Sequence, residues 1–98
     1  MAAYQLTHKA KADLLSIGRF TLKHWGEAQR NFYLKQLDYC FSQIAANPML
    51  GMGCEFIAEG YRKLPQGSHV IFYKQSQAGA VKIIRVLHKS MDVETKFE

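Results

Sequence analysis

The sequence predicts an α+β fold of order β-α-α-β-β-β, an N-terminal strand and a helical hairpin packed on an antiparallel sheet. Three observations predict it. Two long stretches repeat their apolar residues at spacings of three and four and meet at a single glycine, Gly26. Asn47-Pro48 closes the second stretch, because proline disfavours the helical conformation in the residue before it and cannot continue the hydrogen-bond ladder. Beyond it lie three short runs rich in Val, Ile, Phe and Tyr, separated by residues with hairpin chemistry.

Taken in order, Tyr4-Gln5-Leu6-Thr7 alternates and reads as a short first strand, with Thr7 placed to accept hydrogen bonds as the N-cap of a helix. From His8 to Trp25 the stripe is Leu14, Ile17, Thr21 and Trp25, supported by Ala10, Gly18 and Leu22. Gly26 reaches the left-handed conformation without a Cβ penalty, so Trp25-Gly26-Glu27 reads as a tight corner. The second helix, Glu27 to about Ala46, carries Phe32 or Tyr33, Leu34, Leu37, Cys40, Phe41, Ile44 and Ala45 on one stripe. At ~1.5 Å per residue each helix is about 27–30 Å long, the width of a small domain. Met49 to Gly60 follows neither period and reads as a glycine-rich connection.

The strands are Tyr61 to Leu64, His69 to Gln75 and Val81 to His88, joined through Pro65-Gln66-Gly67-Ser68 and Ser76-Gln77-Ala78-Gly79. In the last strand, simple alternation puts Lys82, Ile84, Val86 and His88 on one face and Val81, Ile83, Arg85 and Leu87 on the other. One face is expected to cover the helices and the other to be partly open or taken by a partner. Ninety-eight residues, 48% of them hydrophobic, suit one domain over residues 1–98, with 90–98 expected as a flexible tail.

Composition narrows the chemistry. Cys40 and Cys54 form no CxxC pair and no disulfide framework, and the N-terminus has no apolar signal segment, so a cytoplasmic protein with no membrane association is expected. His8, His24, His69 and His88 are scattered without ligand spacing, so no metal site is assigned. No phosphate-cradling glycine motif occurs, and neither a cofactor nor a small-molecule substrate is indicated. The net charge is +5, and residues 61 to 91 carry Arg62, Lys63, Lys74, Lys82, Arg85 and Lys89 with no acidic residue. Folded as one sheet, that segment forms a cationic surface suited to nucleic acid, an acidic protein segment or another polyanion. Arg62, His69, Arg85, His88 and Lys89 include the residue types that RNA cleavage through a 2′-OH requires, but as ends and edges of strands they read equally as half-exposed polar residues.

The order of these elements, with Leu6-Thr7, Ala12-Asp13-Leu14, Trp25-Gly26-Glu27-Ala28-Gln29, Asn47-Pro48, Gly60-Tyr61-Arg62, the run from Gly67 to Tyr73 and the run from Ile84 to Asp92, resembles the ParE toxins of the RelE/ParE superfamily over about Gln5 to Val93. The resemblance implies the toxin of a bacterial type II toxin–antitoxin module that poisons DNA gyrase by stabilising its cleaved DNA complex, held in check by a ParD-like antitoxin. The superfamily's other branch, the RelE-like ribosome-dependent mRNA endonucleases, is the alternative, and a toxin fold that has lost its activity is a third reading. Against the endonuclease stand Leu64, His69 where those enzymes tend to carry arginine, and the absence of any tyrosine after Tyr73.

On this resemblance no residue is catalytic. The expected gyrase contacts are Arg62, Arg85, His88, Lys89, Met91 and Asp92, followed by a flexible arm from Val93 to Phe97. The expected antitoxin contacts are Leu14, Ile17, Phe20, Phe72, Ile83 and Leu87, along the groove between the helical hairpin and the last two strands.

Overall fold

A computed structural model of the chain describes residues 4–76, 78–91 and 93–97. Strand β1 (Tyr4–Leu6) leads into α1 (His8–Trp25) and α2 (Glu27–Ala46), followed by β2 (Met52–Gly53), β3 (Tyr61–Gln66), β4 (His69–Gln75), β5 (Val81–His88) and a short α3 (Val93–Lys96). The five strands form one sheet in the order β1-β5-β4-β3-β2. The meander β2-β3-β4-β5 is antiparallel, whereas β1 joins β5 in parallel.

Each boundary has a local cause. Thr7 is the N-cap of α1, its hydroxyl accepting from the Ala10 N–H at 3.0 Å. The corner between the helices is Gly26, at φ 90°. The helices cover one face of the sheet, where Ile17, Leu37, Phe41 and Ile44 meet Ile71, Tyr73, Val81, Ile83 and Val86.

Four expectations about the strands and the helix stripe change. The Met49–Gly60 connection contains an edge strand, β2, two residues long and too short to show a period in sequence. Strand β3 runs on through Pro65 and Gln66, so the turn to β4 is only Gly67-Ser68. Pro65 is tolerated because β2 pairs only with Arg62 and Lys63, leaving the other edge of β3 open at that point. Trp25, expected in the core stripe, is 71% exposed.

The fourth change lies in β5. Phe72 pairs with Arg85 but Tyr73 pairs with Ile83, so Ile84 is an extra residue in a β-bulge. The alternation expected for β5 therefore breaks in its middle: Val81 and Ile83 face the helices before the bulge, and Val86 faces them after it. β1 pairs with β5 only as far as Ile83, and beyond it the start of α1 with its cap supplies partners for β5. Thr7 Oγ1 donates to the Ile84 carbonyl at 2.7 Å, and the Val86 N–H donates to the Asp13 carboxylate at 3.0 Å.

The face of the sheet away from the hairpin is not open. Cys54, Phe72 and Leu87 are buried there beneath Ile57, Tyr61, Val70, Val93 and Phe97. The Phe97 ring meets that of Phe72 edge-on at 5.1 Å and that of Tyr61 at 5.9 Å. The segment expected as a flexible tail is thus, where described, a packed element, because its apolar residues Val93 and Phe97 recur at a spacing of four and cover a face that would otherwise be apolar and wet. Among the described residues no helix is long and apolar enough to cross a membrane.

Candidate functional site

A groove of about 830 Å³ opens between α1, the start of α2 and the paired ends of β4 and β5. Ile17, Phe20, Trp25 and Met91 form its apolar part, with Ser16, Thr21 and Gln29 also lining it. Phe20 is 60% exposed on this surface, its ring against that of His24 at 4.3 Å. Tyr33, Ser68, His69 and His88 make the polar end.

That polar end is built by register. The two-residue turn at Gly67-Ser68 sets His69 opposite His88, with ring centroids 5.4 Å apart. Tyr33 reaches them from α2, its hydroxyl 2.6 Å from His69 Nδ1 while it accepts from the Ser68 N–H at 3.2 Å. Burial pushes the Tyr33 phenol above its ordinary pKa, so it keeps its proton, and of the two acceptors within reach, His69 Nδ1 at 2.6 Å and the Gln66 carbonyl at 3.3 Å, the nearer takes it. His88 Nδ1 accepts from the Ser90 N–H at 3.1 Å and lies 2.7 Å from the Ser90 hydroxyl. Burial and then the neighbouring His88 push the His69 pKa below its ordinary value, with Asp13 opposing. The lowered pKa favours the neutral form of His69 near pH 7.

The six expected gyrase contacts divide. His88 and Met91 line the groove and Lys89 is exposed next to them. Arg62 is elsewhere and engaged: Nε and Nη2 donate to the Gly51 carbonyl at 3.0 and 2.6 Å. With Tyr73, whose hydroxyl donates to the Pro48 carbonyl at 2.8 Å, it clamps the connection after α2 onto the sheet. A side chain at Gly51 would lie 2.6 Å from the Lys63 carbonyl, which is why that approach needs glycine. Arg85 donates through Nε and Nη2 to both oxygens of Asp13 at 2.8 Å, and through Nη1 to the Lys96 carbonyl at 3.2 Å. The side chains of Arg85 and Asp13 are only 15% and 13% exposed, and the carboxylate raises the Arg85 pKa further. Both arginines, expected as contacts, are fastened into the fold. Asp92 lies outside the described residues.

The expected antitoxin contacts divide as well. Ile17 and Phe20 line the groove, and Leu14, half-buried, lines a shallower depression beside Tyr4 and Leu34. Ile83 is 0% exposed beneath the helices, and Phe72 and Leu87 are 2% exposed beneath the C-terminal segment, so these three are core. Tyr33 and Trp25, which the sequence reading left out of the site, belong to it. The position of Tyr33 on the apolar stripe of α2, with a hydroxyl at its tip, was the available signal.

The sheet does carry the expected positive charge. Lys74 sits directly across from Lys82, and Lys63 is paired with Phe72, all on the face away from the helical hairpin. Like charges in register repel, so solvent or an anion must screen them. Burial pushes both thiols up, which leaves Cys40 and Cys54 poor nucleophiles. No cluster of three or more His, Cys, Asp or Glu able to hold a metal ion occurs among the described residues.

Comparison with known proteins gives the chain its relatives. A family model described as "ParE toxin of type II toxin-antitoxin system, parDE" matches residues 4–93. Toxin ParE1 of Mycobacterium tuberculosis is 42% identical over 91 residues, covering 93% of each chain. Toxin ParE1 of Caulobacter vibrioides is 40% identical over 92 residues, 94% of each. Among solved structures, a chain of the chromosomal ParDE TA system from P. aeruginosa superposes with a TM-score of 0.74 over 90% of this chain and 96% of that one, at 18% identity, a likeness of fold.

Proposed function

From the premise that the chain belongs to the ParE toxin family of type II toxin–antitoxin systems, we propose that it acts in the cytoplasm as a single-domain poison of DNA gyrase, neutralised by a ParD-like antitoxin. Gyrase cuts and religates DNA itself, so a protein that binds the cleaved state better than the intact one shifts the population toward breaks without chemistry of its own. The observation that carries this non-catalytic reading is the state of the two arginines. Cleaving RNA at His69 and His88 would require cations beside them to stabilise the phosphorane, and with Arg62 and Arg85 held by the Gly51 carbonyl and the Asp13 carboxylate, Lys89 is what remains of the set the sequence offered.

The gyrase-contact surface of this reading is the rim formed by His88, Lys89 and Met91. Arg85 acts behind it, tying β5 to α1 and to the Lys96 carbonyl. The antitoxin lays an amphipathic helix into the groove, its apolar side chains against Ile17, Phe20 and Trp25. Because His88 and Met91 line that groove, an occupant covers part of the gyrase rim, and occlusion is the mechanism of neutralisation.

The test mixes the purified protein with gyrase, ATP and supercoiled plasmid, followed by denaturation and protease digestion. Linear DNA that disappears on adding the antitoxin is the expected result. Undamaged plasmid, together with cleaved ribosome-bound mRNA, would replace this reading with the RelE-like endonuclease. Lys89→Glu and Met91→Ala are expected to reduce linear DNA while leaving the unfolding midpoint unchanged.

A further inference from the structure

Both histidines of the groove have one nitrogen already committed. His69 Nδ1 receives the Tyr33 hydroxyl, and His88 Nδ1 receives the Ser90 N–H. In a neutral imidazole the nitrogen that accepts carries no proton, so in each ring the proton sits on Nε2. Neither Nε2 has a partner among the described residues, and no buried side-chain nitrogen or oxygen there lacks one, so both Nε2–H groups open to solvent. Two N–H donors therefore stand in rings set edge-to-face with centroids 5.4 Å apart, at the polar end of the groove.

We propose that His69 and His88 form a two-donor receptor for a carboxylate, an Asp or Glu carried on the apolar face of the antitoxin helix, which fixes the helix's register in the groove. This rests on the reading that the antitoxin occupies the groove. Three features select the ligand. The pair offers donors and no acceptor, so an ammonium or guanidinium finds no partner in the two rings themselves. Among the described residues no Asp or Glu lines the groove, and the chain carries a net charge of +5, so an acidic group meets a complementary field. The donors are set by backbone register, through the Gly67-Ser68 turn and the His69–His88 pairing, and by the Tyr33 and Ser90 hydrogen bonds, so they are oriented before the ligand arrives. An apolar helix lacking the carboxylate would bury both N–H groups unpaired, which makes the pair a device of specificity as well as attraction.

The probe is octanoate, an apolar chain ending in a carboxylate, titrated against octanamide into the full-length protein and followed by amide and imidazole NMR. Octanoate is expected to bind about tenfold more tightly than octanamide, the difference made by hydrogen bonds to a charged group. It should shift the His69 and His88 imidazole signals with those of the groove. In a His69→Leu, His88→Leu double variant the two affinities should become equal, and in His88→Gln, which keeps an amide donor near the position of Nε2, part of the preference should return. Equal affinities in the unsubstituted protein, binding of neither probe, or a preference that survives the double leucine variant would each overturn the proposal. Hydrogen exchange of the toxin–antitoxin complex separates the two levels. A protected groove with an antitoxin Kd indifferent to both histidines removes the receptor alone, whereas an unprotected groove removes the groove reading beneath it.

Discussion

Asp13 does the most work of any single side chain. It accepts two hydrogen bonds from Arg85 and a third from the Val86 N–H, which lies beyond the last residue of β5 that β1 pairs with. Asp13→Ala leaves a mostly buried guanidinium unpaired and an amide unsatisfied, and is expected to cost about 3–5 kcal/mol in urea unfolding. A loss under about 1 kcal/mol would mean that water already screens the pair. His69 sets a pH dependence whose sign follows from its lowered folded-state pKa. The unfolded ring protonates at its ordinary value of 6.5 while the folded ring still resists, so the unfolded state gains protons first and stability falls as pH drops below that value. Urea midpoints at about pH 7.5 and about pH 5.5 should differ less in His69→Gln than in the unsubstituted protein. The sequence shows both residues, yet neither partnership: Asp13 lies 72 positions from Arg85, and Tyr33 lies 36 from His69.

At the scale of elements, the C-terminal helix is the part whose reading changed most. Mixed composition in residues 90–98 looks like a solvated end, and only the apolar patch of Phe72 and Leu87 gives Val93 and Phe97 somewhere to pack. Phe97→Ala is expected to cost about 1–3 kcal/mol of stability and to raise the binding of a hydrophobic dye, as Phe72 becomes wet. Unchanged dye binding would place the segment off the sheet. The helical hairpin was far more legible, since its periodicity, the Thr7 cap, the Gly26 corner and the Asn47-Pro48 stop are all local signals. The bulge at Ile84 was not, because β5 is apolar in both phases and alternation alone fits either face.

Over the whole molecule, one sheet serves two surfaces: the helices and their groove on one side, and a lysine-bearing face with the C-terminal cover on the other. A net charge of +5 should steer an acidic partner during encounter. The association rate with the antitoxin is accordingly expected to fall at least about tenfold between low salt and about 0.5 M, with the dissociation rate changing far less. A salt-independent association rate, measured by stopped flow, would remove steering from the account. The same experiment on Lys74→Gln, Lys82→Gln tells whether the lysines on the far face contribute to that field.

The sequence by itself determined the fold class, the helical hairpin, the three long strands of the meander and the family, because each is written in short-range periodicity, in caps and breakers, or in motifs held in order along the chain. It also determined that the sheet would be cationic. Only the tertiary structure decided which charges remain available. Arg62 and Arg85 look the same in sequence as any exposed arginine, and become structural because the fold brings the Gly51 carbonyl and the Asp13 carboxylate to them. Likewise His69 and His88, 19 positions apart and individually bland, become one receptor only when a two-residue turn and a β-ladder set their rings edge-to-face. Chemistry that depends on pairs is decided by long-range register, and that register is fixed by burial of the whole core rather than by any local signal.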